Sequence, residues 1–569
     1  MSFLDFKPKN LPADLISGAI TGIIAIPDAI ASAFLAGVTP TYAFNALMTG
    51  TPIGSLFSGS HYMNIGLTSA MMLAVADATI GISSEDLLTP LFTLVVLVGL
   101  FQLILGLLKL GRFTKFISNS VMVGFITGIA VVVILGQLGG LTGYYSEFSG
   151  TFFSTIDTLS HPGEWDIPTT VTSVVTIALI LILSRFRRLK NFSIVIAMIL
   201  GTALVFIQGW SSVELVGDTA EISGSFPLPV LPNLSMIPRL ILPAVAIGLI
   251  GLIQASGVSQ SVPNPDGEYP DASKDFSAQG IANLVAGTFQ GLPLGGSLGG
   301  TAIILGTGGR SRWANIFVGL FVLVFVLLFG NLVELVAMPT VAAILFVVGF
   351  GIINPAAIAD VWDVSRSKRI TMVVTFLLAV TLPVQQAILI GVFISFIDHI
   401  FSSGQAVQLA ELEPTESGEL RVKQAPTELP DNSVTLLHSL SSTHFAAART
   451  LQEMLPMAKS AQNAVVIVRL RGSESIGSTF ILVLERYAAE LRANGGRLML
   501  SGVHEKVMEQ ILRTETTESV PEDAIFMATD ILGKSTKAAV SAAHAWLDAK
   551  EPNQETEREV ATSQEEDGA

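Results

Sequence analysis

Fourteen apolar segments fill the first 400 residues, and they constrain the fold of this chain more than any other feature. They run at 14–37, 40–58, 66–80, 87–108, 114–137, 169–184, 192–208, 239–257, 276–290, 299–307, 313–335, 339–353, 370–382 and 384–400. The chain is only 14% charged, whereas ordinary soluble domains carry about 25% charged residues. A helix that crosses a bilayer needs about 20 apolar residues. The sequence therefore predicts a polytopic α-helical membrane domain over 14–400, after a short cytoplasmic N-terminus at 1–13.

The distribution of basic residues supports this topology. Residues 1–400 contain sixteen Lys or Arg, and with a cytoplasmic N-terminus fifteen of them fall on cytoplasmic loops. Arg239 falls outside, and the long outer loops at 141–168 and 209–238 carry acidic residues but no basic one. Basic residues concentrate on the cytoplasmic side of membrane proteins. We therefore predict a multi-pass protein of the cell's inner (plasma) membrane, embedded in the lipid bilayer with both termini cytoplasmic.

Two short apolar stretches, at 64–80 and 295–308, differ from the others. Each is too short to cross a bilayer comfortably, and each begins with Gly, Ser or Thr, which leave backbone N–H groups uncovered. They contain the third and tenth segments, so they hold corresponding positions in two sets of seven. Such pairs mark the binding site of transporters built from inverted repeats. Since a helix N-terminus carries about half a positive charge, two facing N-termini would offset about one negative charge. The sequence predicts a carrier of a small anion.

Three stretches carry a family resemblance: DLISGAITGIIAIPDAIASAFLAGVTPTYAF at 14–44, GSHYMNIGLTSAMML at 59–73 and SAQGIANLVAGTFQGLPLGGSLGGTAIILGTGGRSRWANI at 277–316. Together they resemble the SulP family, solute carrier family 26, most specifically through A-Q-G-I-A-N followed by G-L-P-x-G-G-S. The resemblance implies a fourteen-helix fold, arranged seven plus seven with a core domain and a gate domain, and a homodimer. It also implies secondary transport of an anion such as sulfate, bicarbonate, chloride or a dicarboxylate, held between the N-termini of half-helices three and ten.

The resemblance places candidate substrate ligands where the two short helices begin. They are Gly66, Thr68, Ser69, Ser297, Gly299, Gly300 and Thr301. Glycine lets an anion approach the backbone, and Ser and Thr hydroxyls can donate to it. The alternative role of these small residues is close helix packing. Some family members carry a basic residue where Gly300 stands, so this site would rely on helix dipoles and hydroxyls, which favours weak or monovalent anions.

Asp28 is the predicted proton carrier. It follows Pro27 in the first segment, where we expect the proline to break the helix. A charged carboxylate at mid-membrane costs about 3 kcal/mol, so an acid there is a functional hypothesis by default. Burial favours the neutral carboxyl, which predicts proton uptake together with the substrate. Family members usually have Gln or another neutral residue here, and the alternative is a neutral Asp bonded to a neighbouring backbone carbonyl. Ser32, one turn later, is a predicted lining residue.

Gln254, in the eighth segment, is a further candidate ligand. Family members often have Glu or Asp at this position, and in a sodium-dependent bicarbonate carrier of the family that acid helps to hold sodium. A neutral amide here, followed one turn later by the apolar Val258, weakens the case for sodium coupling. An interhelical hydrogen bond is the alternative role for the amide.

Beyond residue 400 short strands alternate with amphipathic helices. We predict strands at 434–440, 464–470 and 497–501 and helices at 446–457, 478–494 and 504–513, the order of a small α/β domain. The stretch VVIVRLRGSESIGSTFILVLERYAAELRANGGRLMLSGV resembles a STAS domain, which we place at 405–548, with Ser478 as a helix N-cap. The acidic segment at 549–569 is predicted to be disordered.

The sequence contains no Walker GK[ST] loop, no HExxH and no pair of carboxylates at acid–base spacing. We therefore predict a protein that is not an enzyme, with no cofactor and no metal ligands. The net charge of −15 does not suggest a nucleic-acid partner. A nucleobase carrier of the same seven-plus-seven architecture is the runner-up, which the neutral Gln254 and the acid-free tenth segment disfavour. A channel-like or motor-like relative and a signalling protein that acts through its STAS domain are further alternatives.

Overall fold

The computed structural model describes residues 11–82, 87–111, 118–148, 150–186, 188–219, 222, 225–405, 409–414, 420–439, 452–472, 475–514 and 516–550. The chain divides into two compact units, Met1–Phe396 and Ile397–Ala569, and each is described by itself. All but the first two residues of the predicted disordered tail at 549–569 lie outside the described part. The same holds for residues 1–10 of the predicted N-terminal segment.

In the first unit each of the fourteen predicted apolar segments coincides with one helix. These are α1 (Leu11–Leu35), α2 (Pro40–Phe57), α3 (Ser69–Thr79), α4 (Leu88–Leu107), α5 (Asn119–Gly136), α6 (Ile167–Ser184), α7 (Ser193–Gln208), α8 (Ile237–Ser261), α9 (Ala272–Thr288), α10 (Leu298–Gly306), α11 (Trp313–Glu334), α12 (Met338–Ile352), α13 (Arg366–Thr381) and α14 (Val384–Gln405). Shorter helices lie in the connections, at Leu138–Thr142, Thr151–Ser160, Val216–Thr219 and Pro355–Val364. The predicted helical membrane domain is confirmed.

Helix length separates the spanning helices from two half-helices. Among the described residues, eight helical spans are long and apolar enough to cross a membrane. By contrast, α3 has 11 residues and α10 has 9, so they extend only about 16 and 14 Å at 1.5 Å per residue. That is about half of the roughly 30 Å hydrocarbon core.

The predicted break at Pro27 is wrong. Helix α1 continues through this proline for eight further residues, from Asp28 to Leu35. A proline removes one backbone hydrogen bond, but packed neighbours let membrane helices tolerate that loss. Asp28 is therefore held on a continuous helix.

Helix packing repeats with a period of seven helices. The contact between α4 and α9 has its counterpart in the contact between α11 and α2. The contact between α1 and α11 has its counterpart in the contact between α8 and α4. In the same way α5 contacts α13 as α12 contacts α6. In each case the second contact joins the helices that lie seven places further along the chain, counting α1 as the helix after α14. For example, α4 and α9 become α11 and α2. Two structurally equivalent halves are therefore present, and they form a core domain (α1–α4 with α8–α11) and a gate domain (α5–α7 with α12–α14).

The second unit is built on a six-stranded sheet. Its strands are β3 (Leu409–Pro414), β4 (Leu420–Gln424), β5 (Val434–Ser439), β6 (Val465–Arg469), β7 (Arg497–Val503) and β8 (Ile525–Met527), and its helices are α15 (Ser478–Ala493), α16 (Glu505–Arg513) and α17 (Lys534–Asp548). The strand order across the sheet is β4-β3-β5-β6-β7-β8. Strands β5 to β8 are parallel, and β6 is buried on both faces, as is typical of parallel strands. The strands β1 and β2 belong to the first unit and are described with the site.

Most of the predicted elements of this second unit are present. The predicted strands at 434–440, 464–470 and 497–501 correspond to β5, β6 and β7. Most of the predicted helix at 446–457 lies outside the described residues. The predicted N-cap is wrong by one residue, because Gly477 holds the cap position and Ser478 is the first helical residue.

Candidate substrate site

The starting points of the two half-helices are joined by a small antiparallel ladder. Strand β1 (Asn64–Gly66) runs towards α3, and β2 (Gly295–Ser297) runs directly into α10. Asn64 pairs with Ser297 and Gly66 pairs with Gly295. Because the strands are antiparallel, the two helices leave the ladder in opposite directions with their N-termini beside it. The structure thus brings together the two short segments that the sequence singled out.

Buried side chains from neighbouring helices fix the ladder in place. Asn283 on α9 accepts from the N–H of Leu294 at 2.6 Å and donates to the carbonyl of the same residue at 2.8 Å. Thr51 on α2 donates to the carbonyl of Ile65 at 2.6 Å. Buried polar groups of this kind are stable only when they are hydrogen-bonded. Helices α2 and α9 are equivalent in the two halves, so each half anchors one strand.

At the start of α10 two predicted hydroxyl ligands are engaged within the protein. Ser297 is the N-cap, and its hydroxyl accepts from the N–H of Gly300 at 3.0 Å. The hydroxyl of Thr301 donates to the carbonyl of Ser297 at 2.6 Å and accepts from the N–H of Asn64 at 3.0 Å. Thr301 therefore ties β1 to α10. Gly299 is different, because it is exposed and a Cβ there would meet nothing within 4 Å.

At the start of α3 the predicted ligands Thr68 and Gln254 meet each other. Thr68 is the N-cap of α3 but makes no side-chain cap bond, and its hydroxyl donates instead to Oε1 of Gln254 at 2.9 Å. Ser69 is the first residue of α3 and is half-buried, whereas Gly66 is buried in β1. The predicted alternative role of Gln254, an interhelical hydrogen bond, is present in the structure.

Asp28 and Ser32 lie on α1, which contacts both half-helices. Asp28 is exposed although the flanking residues Pro27 and Ala29 are buried. Its carboxyl makes no hydrogen bond or ion pair with any described residue, so the predicted bond to a neighbouring backbone carbonyl is not formed. Ser32 is only 2% exposed. Of this pair, only Asp28 presents its side chain to open space.

A narrow, mostly apolar cavity adjoins the site between the core and gate domains. Its lining residues come from α5, α8 and α14 and are Val121, Met122, Phe125, Ile126, Ile250, Ile253, Gln254 and Ile388. Gln254 is the polar member of this lining. Its side chain therefore faces the boundary between the two domains.

Three buried amides that matter to this site were missed by the sequence reasoning. The Nδ2 of Asn64 donates to Oδ1 of Asn315 at 2.8 Å, and the Nδ2 of Asn315 lies 3.3 Å from the carbonyl oxygen of Met63. Asn283 ends the A-Q-G-I-A-N stretch, and the motif alone does not indicate its two bonds to Leu294. The available signal was the presence of an amide inside or beside an apolar segment, where an unpaired polar group is costly.

Comparisons with known proteins agree with this architecture. The model of the sulfate permease family matches residues 11–375, and that of the STAS domain matches residues 430–530. YvdB of Bacillus subtilis (strain 168), whose name describes it provisionally as a sulfate transporter, is 23% identical over 532 residues, covering 92% of this chain and 97% of YvdB. The bicarbonate transporter BicA of Picosynechococcus is 28% identical over 404 residues, covering 68% of this chain and 70% of BicA.

A solved structure shares the fold over nearly the whole chain. The structure of SLC26A9 superposes with a TM-score of 0.80 at 18% identity, covering 96% of this chain and 92% of that chain. At that identity the likeness establishes the fold. The match of the family model, which spans more than half of the residues, establishes the family. This multi-pass membrane protein belongs to the sulfate permease family and carries a STAS domain.

Proposed function

We propose that this chain is a secondary transporter of a small anion, which binds between the N-termini of α3 and α10. The observation that carries the proposal is the β1–β2 ladder, which joins the starting points of both half-helices. No Lys or Arg occurs in 64–71 or 295–301, so the positive potential comes from the two helix N-termini. A site of this kind binds an anion through backbone N–H groups.

The supply of free donors supports this proposal. The first N–H groups of a helix have no intrahelical acceptor. Within the described residues, the N–H groups of Ser69, Ala70 and Met71 on α3 donate to no acceptor, and neither do those of Leu298 and Gly299 on α10. The hydroxyl of Ser69 adds a further donor. In this proposal Ser297 and Thr301 hold the geometry, while Gly299 gives the anion access to the backbone.

The charge balance favours an anion of single charge. Two helix N-termini supply about one positive charge in total. Bicarbonate and other small monovalent anions match that charge, whereas sulfate would leave about one charge unbalanced. BicA is named as a bicarbonate transporter, which is consistent with this substrate class.

In this proposal the coupling ion is a proton, which Asp28 carries. An ionised carboxylate on α1 would cancel most of the positive potential of the half-helices, so the anion binds best when Asp28 is protonated. The carboxyl has no described partner and is exposed among buried neighbours, so it is free to exchange a proton. Anion and proton would then move together. Neutral Gln254 offers no charge for sodium.

Proteoliposome uptake tests the substrate and the coupling. Purified protein would be assayed with labelled bicarbonate, chloride, nitrate, sulfate, succinate and uracil, with and without inward gradients of protons or sodium. We expect uptake of a monovalent anion that a proton gradient stimulates and a sodium gradient does not. Uptake of uracil alone would contradict the proposal and favour a nucleobase carrier.

Substitution of Asp28 separates coupling from transport. We expect Asp28→Asn to keep anion exchange but to lose stimulation by the proton gradient. Asp360→Asn is the matched control, because Asp360 is an exposed acid on Pro355–Val364. If Asp28→Asn responded to the gradient as the unaltered protein does, proton coupling through this residue would be excluded.

Topology and assembly complete the proposal. We place both termini in the cytoplasm and the protein in the cell's inner membrane as a homodimer. Light scattering of the detergent-solubilised protein measures the assembly. Single cysteines, introduced into this cysteine-free chain and labelled from either side, measure the topology.

A further inference from the structure

The connection between α6 and α7 concentrates positive charge without any acidic residue. Its sequence from 184 to 192 is SRFRRLKNF, which contains three arginines and one lysine. No Asp or Glu occurs anywhere from 167 to 213, so nothing in α6, in the connection or in α7 offsets this charge. Arg187 lies outside the described residues. The α6–α7 basic surface is therefore defined by Arg185, Phe186, Arg188, Leu189 and Lys190.

The backbone of this connection is folded into tight turns. The carbonyl of Phe186 accepts from the N–H groups of Leu189 and Lys190, at 2.9 Å each. A short 3-10 helix, Lys190–Phe192, then leads into α7. The basic residues Arg185, Arg188 and Lys190 are exposed, and their side chains make no hydrogen bond or ion pair with any described residue. Three positive charges are thus held on an ordered turn and are available to a partner.

Exposed apolar side chains lie between these charges. Phe186 is 56% exposed and Leu189 is 37% exposed. The spans on either side, Ile167–Ser184 and Lys190–Gln208, have only 28% of their apolar windows buried, the lowest share among the eight spans in the described part of the chain. Aromatic and basic residues at the end of a spanning helix are typical of the membrane–water interface. The basic surface therefore continues the lipid-facing side of α6 and α7.

We propose that the α6–α7 basic surface docks anionic phospholipids of the cytoplasmic leaflet, such as phosphatidylglycerol. Basic clusters directly beside the cytoplasmic end of a membrane helix attract anionic headgroups, and each residue strengthens the association about fivefold. The two exposed apolar side chains suit the acyl chains of a lipid. The inference rests on the topology given with the proposed function, which places this connection in the cytoplasm.

A second source of negative charge is the acidic segment of this chain at 551–567. It contains six Glu and one Asp, but Val560 and Ala561 are its only apolar residues. Such a segment matches the charge of the basic surface and leaves Phe186 and Leu189 uncovered. A phospholipid matches both the charge and the apolar side chains, so it is the favoured occupant.

Lipid titration of the purified full chain in a neutral detergent tests the docking. Fluorescent phosphatidylglycerol and phosphatidylcholine would be added in mixed micelles, and their apparent dissociation constants compared. We expect phosphatidylglycerol to bind at least about tenfold more tightly. The combined substitutions Arg185→Gln, Arg188→Gln and Lys190→Gln should remove that preference. Arg185→Lys with Arg188→Lys keeps the charge and should keep the preference within about threefold of its original value.

The matched control removes three exposed charges from the second unit through Arg486→Gln, Lys534→Gln and Lys537→Gln. It should leave phosphatidylglycerol affinity within about twofold of the unaltered protein. Equal binding of the two lipids by the unaltered protein, or equal losses in the two triple variants, would overturn the inference.

Removal of 551–569 distinguishes the two occupants. We expect this truncation to leave phosphatidylglycerol affinity unchanged, whereas a gain that depends on the three basic residues would identify the acidic segment as the occupant and overturn the inference. Labelling of Leu189→Cys from the outer side would overturn it as well. Lipid binding is measured without a substrate anion, so its absence leaves the proposed transport standing. Absence of anion uptake with lipid docking intact would refute the proposed function alone.

Discussion

The hydroxyl of Thr68 at the start of α3 donates a hydrogen bond to Oε1 of Gln254 on α8, at 2.9 Å. The bond joins the two halves of the membrane domain beside the candidate site. A threonine hydroxyl has one proton, so Thr68 cannot donate to an anion while this bond is formed. The Nε2 of Gln254 has two protons and no acceptor among the described residues. Gln254 is therefore the better placed of the two to donate to a substrate.

We predict that Gln254→Glu lowers anion uptake about thirtyfold. With an effective dielectric of about 20, like charges repel by about 2 kcal/mol even at about 8 Å, so thirtyfold is the smallest loss expected for an anion that contacts this position. Gln254→Met is the neutral control of similar size. This variant loses a hydrogen bond worth about 1 kcal/mol, so its anion uptake should fall about fivefold. Apparent affinity and maximal uptake in proteoliposomes measure both effects. Equal values for the Glu and Met variants would show that the anion does not approach this position.

A second prediction concerns a link between the core and gate domains. Oδ2 of Asp77 on α3 accepts from the N–H of Val384, the first residue of α14, at 2.5 Å. Gln385 adds a bond to the carbonyl of Ala74 at 3.3 Å. A carboxylate at a helix N-terminus is stabilising. In the proposed topology this link lies on the outer side, so it favours closure of that side.

We expect Asp77→Ala to open the outer side about fivefold more often, since a lost cap costs about 1 kcal/mol. The chain has no cysteine, so Ala78→Cys can report opening through labelling by an impermeant maleimide. Asp218→Ala is the control, because Asp218 accepts from the N–H of Leu215 nearby in the chain, at 2.8 Å, and so caps a local turn. If the thiol introduced at position 78 were labelled at the same rate with and without Asp77→Ala, the link would not control access.

The positions of the helices could be predicted from the sequence, because apolar length alone decides what crosses a bilayer. Pairing of the two half-helices could be predicted as well, since 64–80 and 295–308 share one pattern of small residues. The hydrogen bond from Asn64 to the hydroxyl of Thr301 could not be predicted, because it joins β1 to a helix residue 237 positions further along the chain. The continuity of α1 through Pro27 depends on its packed neighbours and was missed for the same reason.

The third prediction concerns the loop that leads into β1. The carboxylate of Asp275 on α9 is buried and accepts four hydrogen bonds: from the hydroxyl of Ser58 at 2.8 Å, the N–H of Gly59 at 2.8 Å, the N–H of Ser60 at 3.1 Å and the hydroxyl of Ser259 at 2.5 Å. Removing the carboxylate leaves several buried donors without an acceptor. Such a loss costs about 3 kcal/mol or more.

We therefore expect Asp275→Ala to lower the thermal unfolding midpoint of the full chain by several degrees and to reduce uptake. Asp271→Ala is the matched control at the start of the same helix. Asp271 is exposed, and its side chain caps α9 through the N–H of Ser273 at 2.9 Å. Loss of that cap should cost only about 1 kcal/mol. A midpoint for Asp275→Ala no lower than that for Asp271→Ala would contradict the structural role of this carboxylate.

The last prediction is a pH dependence of the STAS domain. Partial burial, and next the guanidinium of Arg469, lower the pKa of His438 on β5 below its ordinary value of about 6.5. Nη1 of Arg469 donates to Nε2 of His438 at 3.2 Å, which requires an unprotonated ring nitrogen. The unfolded chain therefore binds a proton at a higher pH than the folded domain does. The resulting stability is fully present above about pH 6.5 and is lost as the pH falls from there towards the lowered pKa.

Hydrogen–deuterium exchange of β5 and β6 in the full-length protein measures this loss directly. After correction for intrinsic exchange rates, we expect protection of these strands to decline between about pH 7.5 and about pH 5.5. His438→Gln should flatten the decline, because glutamine does not titrate, whereas His544→Gln on the exposed side of α17 should leave it unchanged. Protection that stays constant over this range in the unaltered protein would show that protonation of His438 does not oppose folding.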